Sequence, residues 1–139
     1  MITGGAGFIG SHIAEKMISS DHEVVIIDNL DDYYSPDLKR RNLEILLANP
    51  NVRFIEGDIT DTALLRQVID SDVEFVYHEA AQAGVSISVE NPFKPNQVNV
   101  LGTSNVLKAS LDAGRQTGDQ RLLPPPSQGA GKCLANRPG

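Results

Sequence analysis

Eight residues near the start of the chain, Thr3–Gly10 (TGGAGFIG), limit the possible folds more than any other stretch. An apolar stub, "MIT", precedes them and a helical pattern, "FIGSHIAEKMIS", follows, with Ile9, Ile13 and Met17 at four-residue spacing. A strand that turns on glycines and leaves as a helix is the opening of a βαβ unit. Gly4, Gly7 and Gly10 keep side chains away from the turn, so that main-chain N–H groups stay uncovered. The helix adds unpaired N–H groups and a partial positive charge at its N-terminus, and together these suit an anion. Gly10 lets that helix lie close to the sheet.

The alternation continues. "EVVIID" (Glu23–Asp28) is a continuous apolar run ending in an acid, the pattern of a strand covered on both faces. "SPDLKRRNLEILLAN" predicts a second helix, with Ser35 as cap and Pro36 at the first helical position. "NVRFIEGD" predicts a strand, "TDTALLRQVIDS" a helix capped at Thr60 or Asp61, and "VEFVYHEA" a fourth strand. "NPFKPNQVNVLGTSNVLKASLDAG" predicts a long helix stopping at Gly114, with Pro92 and Pro95 near its first turn. Strands alternating with helices imply an α/β fold, a doubly wound parallel sheet of Rossmann type. After Gly114 the periodicity ends. Residues 115–139, with Pro124–Pro126 in a row, are expected to be an irregular tail, leaving residues 1–114 as the folded half-domain. Charge divides at the same place, with a balance of −9 over residues 1–114 and +3 over the rest. An acidic body is a poor surface for a nucleic acid. No run is apolar enough for a membrane span, and the single Cys133 excludes an internal disulfide or a cysteine metal cluster. No export signal is expected, and these features fit a cytoplasmic protein.

Asp28 gives the glycine turn a partner. It ends the strand after the turn's helix, 18 residues beyond Gly10. A carboxylate there can accept hydrogen bonds from ribose hydroxyls while the turn holds a pyrophosphate. Its charge disfavours a 2′-phosphate, and "NLDD" (residues 29–32) supplies no arginine to receive one. The predicted ligand is therefore NAD in preference to NADP. Alone, each glycine could mark only a tight turn, and Asp28 only a cap or turn former.

Taken together, these segments resemble the extended short-chain dehydrogenase/reductase family, in particular its sugar-nucleotide epimerases and dehydratases. "TGGAGFIGSH" is similar to the family's cofactor turn, and "IDNLDDYYSPDLKRRNLEIL" resembles a stretch of UDP-glucuronate and UDP-glucose 4-epimerases. "FIEGDITD", "VYHEAAQAGVSISVENP" and "NVLGTSNVLKA" resemble further family segments. The resemblance covers about residues 2–114 and implies an N-terminal fragment of a larger enzyme. It implies that Gly4, Gly7, Phe8, Ile9 and Gly10 line the pyrophosphate and that Asp28 and Asn29 hold the adenosine ribose. Asp58 and Ile59 would meet adenine. Ala80, Ala81 and Gln82 would pass the nicotinamide side, with Asn99 nearby. It also implies a nucleotide-sugar substrate and a homodimer through the helix at residues 93–113. The bland readings are that Ala80 and Ala81 are small for packing and that Asn99 satisfies a backbone group.

Three departures from the pattern stand out. The first strand is short, Glu79 occupies a usually apolar position, and Ser86-Ile87 replaces an Arg-aromatic pair. The family's catalytic pair, a tyrosine with a lysine four residues later, is missing. Tyr33, Tyr34 and Tyr77 are followed at that distance by Asp37, Leu38 and Ala81. A phenol with an ordinary pKa near ~10 is a poor base at neutral pH. No catalytic residue and no metal ligand is therefore assigned, and no turnover is expected. His78 is read as a packed structural histidine. "GAGK" (Gly129–Lys132) lacks the spacing of a phosphate loop. A shifted reading frame would account for the tail. The rival readings are a stand-alone nucleotide sensor or regulatory module, and a non-functional remnant.

Overall fold

The computed structural model describes residues 1–33, 35–84, 89, 91–117 and 132–135. Five strands form one sheet: β1 (Ile2–Thr3), β2 (Val24–Asp28), β3 (Val52–Glu56), β4 (Phe75–His78) and β5 (Lys132–Ala135). Their order is β3-β2-β1-β4-β5. The first four run parallel, with Ile2 beside both Ile26 and Tyr77, while β5 runs antiparallel to β4. The helices are α1 (Phe8–Ile18), α2 (Pro36–Leu47), α3 (Thr62–Val68), a short turn α4 (Phe93–Pro95), a π-helical segment (Asn96–Gly102) and α5 (Thr103–Thr117).

Neighbouring residues of β2 serve opposite cores. Ile26 packs with Ile2, Val24 and Val52 against Ala14 of α1 and Leu43 and Leu46 of α2. Ile27 packs with Val76 against Leu65 and Val68 of α3 and Val106, Ala109 and Ala113 of α5. β2 is thus covered on both faces, which explains its unbroken apolar run. The chain steps outward from β1 to β2 to β3, then returns to the far side of β1 for β4. The strand order therefore reverses at the carboxyl end of β1, the place where an open α/β sheet offers a crevice.

The predicted elements are present, with corrections of detail. In α1 the buried residues are Gly10, Ser11 and Ala14, while Ile9 is 58% exposed. Small residues let the helix lie close to the turn, and its first turn projects beyond the core. Ser35 precedes α2 but makes no side-chain cap bond; Pro36 starts the helix as expected. Asp61, not Thr60, caps α3, accepting from the N–H groups of Ala63 and Leu64. The long helix is not uniform, because a π segment re-phases it between Asn99 and the core-facing Val106, Ala109 and Ala113. Gly114 does not stop it. That glycine is buried, and α5 runs on to Thr117. Within the tail, residues 132–135 pair with β4, an edge strand that composition alone did not reveal. Residues 118–131 and 136–139, with the proline run and most of "GAGK", lie outside the described residues, as do Tyr34, Ser86 and Ile87.

Candidate functional site

A cavity of about 560 Å³ opens at the carboxyl ends of β1, β2, β3 and β4. Its floor is the glycine turn. Gly4 has φ +69°, and a Cβ there would lie 2.6 Å from the Ala80 nitrogen. A Cβ on Gly10 would lie 2.4 Å from the Gly4 carbonyl oxygen and 2.7 Å from the Gly5 Cα. Only glycine lets the turn, the β4 end and α1 approach so closely. The Gly7 carbonyl accepts the first helical bond, from the Ser11 N–H at 3.0 Å. The N–H groups of Phe8, Ile9 and Gly10 consequently have no carbonyl partner inside α1, and all three residues line the cavity.

Asp28 is only 5% exposed and is tied to this turn. Its Oδ2 accepts from the Ala6 N–H at 3.1 Å; its Oδ1 accepts from the Leu30 N–H at 2.9 Å and from Lys39 Nζ at 3.1 Å. It is therefore a turn former as well as a cavity wall. Asn29 Nδ2 donates to Asp58 Oδ2 at 2.8 Å, while Asp58 Oδ1 accepts from the N–H and hydroxyl of Thr60 at 2.8 and 2.7 Å. Burial raises the Asp58 pKa, but these bonds outweigh it and hold the carboxyl below its ordinary range. Asp31 is also lowered, first by its hydrogen bond from Lys94, against a smaller opposing effect of burial. Lys94 is raised by the same bond.

Gly4, Gly7, Phe8, Ile9, Gly10, Asp28, Asn29, Asp58, Ile59, Ala80, Ala81 and Gln82 all line this one cavity. Asn99 does not line it and stands behind the wall that Gln82 forms. Its Oδ1 accepts from the Gln82 N–H at 2.8 Å and its Nδ2 donates to the Gln82 carbonyl at 3.0 Å. The backbone-satisfying reading of Asn99 is thus what the geometry shows, and through it Asn99 fixes the wall.

His78 is packed as expected. Its Nδ1 lies 2.7 Å from Thr3 Oγ1 and its Nε2 lies 2.9 Å from Thr103 Oγ1. The Thr103 hydroxyl donates to the Asn99 carbonyl at 2.7 Å, so it accepts from His78. The proton is accordingly assigned to Nε2, and Nδ1 accepts from Thr3. Glu79, at the usually apolar position, is half-buried and lines the cavity.

Lys39, Asn42, Asp31 and Tyr33 also line the cavity and were not foreseen. Lys39 lies 11 residues beyond Asp28, and Asn42, whose Nδ2 donates to the Ala6 carbonyl at 3.0 Å, lies three further on. Their i, i+3 spacing on α2 is the one signal that could have found them together. Among the described residues no helix is long and apolar enough to cross a membrane.

A family model described as GDP-mannose 4,6 dehydratase matches residues 1–123. The chain is similar to UDP-glucuronate 4-epimerase 3 of Arabidopsis thaliana, being 40% identical over 118 residues, 84% of this chain and 27% of the relative. It is also similar to the structure of dTDP-glucose 4,6-dehydratase from Streptomyces venezuelae with NAD bound. The TM-score is 0.72 and the identity 34%, over 81% of this chain and 35% of that one. For the NAD complex of UDP-glucose 4-epimerase from Thermus thermophilus the values are 0.66 and 36%, over 81% and 33%. The chain thus spans between about a quarter and a third of the relatives it matches.

Proposed function

The chain belongs to the GDP-mannose 4,6 dehydratase family, and from that premise we propose that its cavity holds NAD. The observation that carries this reading is the meeting of three free helical N–H groups with the Asp28 carboxylate in one cavity at the strand reversal. The N–H groups of Phe8, Ile9 and Gly10 would hold the pyrophosphate. The Asp28 carboxylate would accept from the ribose hydroxyls. Adenine lies by Asp58 and Ile59, and the nicotinamide side runs along Ala80–Gln82. NAD, when bound, supplies the hydride chemistry; this chain's residues bind and orient it. Both solved relatives named above carry NAD, which supports the reading.

Lys39 changes the argument for NAD over NADP. It offsets the charge of Asp28, so the preference rests on Asp28 as a hydrogen-bond acceptor more than on repulsion of a 2′-phosphate. The substrate class of the whole enzyme is a nucleotide sugar. This sequence has no Tyr-x-x-x-Lys pair, and the chain alone turns over neither UDP-glucose nor UDP-glucuronate. Phe93, Val100 and Leu101, respectively 82%, 60% and 50% exposed, give the helical stretch the apolar face of a homodimer contact.

Calorimetric titration with NAD and NADP tests the central reading. Saturable binding of NAD, tighter than that of NADP, is expected. A folded chain giving no heat at millimolar NAD sinks it.

A further inference from the structure

Ala80 and Gln82 follow β4 along the cavity, and each is anchored from behind. The Ala80 N–H donates to Thr3 Oγ1 at 3.3 Å, and the Asn99 side chain clamps the Gln82 backbone at 2.8 and 3.0 Å. His78 joins these two anchors. Thr3 is fully buried in β1, Thr103 starts α5, and the imidazole bridges their hydroxyls at 2.7 and 2.9 Å. The bonds all run in one sense. A carbonyl cannot donate, so the Thr103 hydroxyl gives its proton to the Asn99 carbonyl at 2.7 Å and accepts from His78 Nε2–H. Nδ1 then accepts from the Thr3 hydroxyl, which itself accepts from Ala80. Groups that donate on one side and accept on the other polarise one another, so a break at one point weakens the whole chain. Thr3, His78 and Thr103 do not line the cavity, whereas Ala80, Ala81 and Gln82 do.

We propose that His78 is a positioning residue: between Thr3 and Thr103 it fixes the wall from Ala80 to Gln82, on which the nicotinamide side of the dinucleotide rests. This deepens the NAD reading and rests on it for the ligand. Ala80 and Ala81 offer a ligand only shape and backbone, so what they contribute depends on the wall being held in place beforehand. The adenosine end has separate supports. Asn29 and Thr60 hold Asp58, and Asn105 Nδ2 donates to the Ile59 and Thr60 carbonyls at 3.2 and 3.3 Å. Loosening the His78 chain therefore weakens a ligand that reaches the wall and spares one that stops at the pyrophosphate.

The test compares the wild-type chain with three variants. Thr103→Val keeps the branched shape but removes the acceptor of His78 Nε2–H, Thr103→Ser returns a hydroxyl, and His78→Leu removes the bridge itself. Nitrogen NMR of the imidazole reads the tautomer, and hydrogen exchange without ligand reads the Ala80 and Gln82 amides. Calorimetry compares NAD with ADP, which lacks the nicotinamide side. The wild type is expected to carry its ring proton on Nε2. Thr103→Val is expected to speed exchange at both amides and to weaken NAD by about three- to tenfold, with ADP changed by less than about twofold. His78→Leu should repeat that pattern, and Thr103→Ser should restore NAD binding. A ring proton on Nδ1 overturns the chain. Unchanged NAD binding in Thr103→Val or in His78→Leu overturns the positioning role. So does an equal loss for NAD and ADP, because a merely structural bond would move both alike. A wild type that binds neither nucleotide sinks the NAD reading; the two amides, exchanging faster in Thr103→Val, would then still show the wall fixed through His78.

Discussion

Asp58 shows how a single side chain can be both structure and site. Three donors from Asn29 and Thr60 hold its carboxyl below the ordinary range in the folded chain. The unfolded chain lacks those donors and binds a proton more readily. The stabilisation is therefore complete above the unfolded value of about 4 and is lost as pH falls through the lowered folded value. Asp58→Asn is expected to be less stable than wild type at pH 7, with the gap closing as pH falls below about 4. Urea unfolding of both proteins across that range checks this; a gap that widens in acid contradicts the assignment. At this scale the sequence was readable where chemistry is local. Gly10 was read as letting α1 lie close to the sheet; the backbone atoms that a Cβ would strike are those of the turn at Gly4 and Gly5, just past the end of β1. Lys39 was not readable, because its ion pair with Asp28 depends on how a loop returns α2 to the sheet.

Caps and periodicities carried most of the element-level information, and their errors have physical causes. Asp61 extends its carboxylate over two N–H groups of α3, whereas Ser35 leaves the start of α2 to Pro36. Both positions fit a cap by residue type, and only backbone direction separates them. Asp61→Ala is expected to cost about 1 kcal/mol, and Ser35→Ala less than about 0.5 kcal/mol, in urea unfolding. Equal costs would mean that the α3 cap contributes nothing of its own. The π segment was illegible for a related reason. Asn99 lies inside that segment and bonds the Gln82 backbone, while Val106 lies beyond it in the core. Apolar periodicity carries no signal of one extra residue in a turn. Gly114 misled because burial, which composition does not report, lets a glycine serve as a helix's packing surface.

At the scale of the molecule, alternation of strands and helices implied a parallel sheet, and the observed order, with β1 between β2 and β4, is what lets helices cover both of its faces. What alternation could not supply was the edge. β5 pairs with β4 through its backbone, and its four residues carry no apolar period to announce it. The same architecture makes an energetic claim. The sheet divides the interior into two cores that share strands but not side-chain contacts, with Ile26 in one and Ile69 in the other. Ile26 is 0% and Ile69 3% exposed, so removing one methylene from either leaves a small cavity on its own face only. Each Ile→Val change is expected to cost about 0.5–1.5 kcal/mol. Without a shared neighbour to relax, the double variant should lose the sum within about 0.5 kcal/mol. Denaturant unfolding of the two single variants and the double supplies the cycle. A larger coupling would mean that the strands transmit repacking from one face to the other. The cavity at their carboxyl ends would then respond to changes made deep in either core.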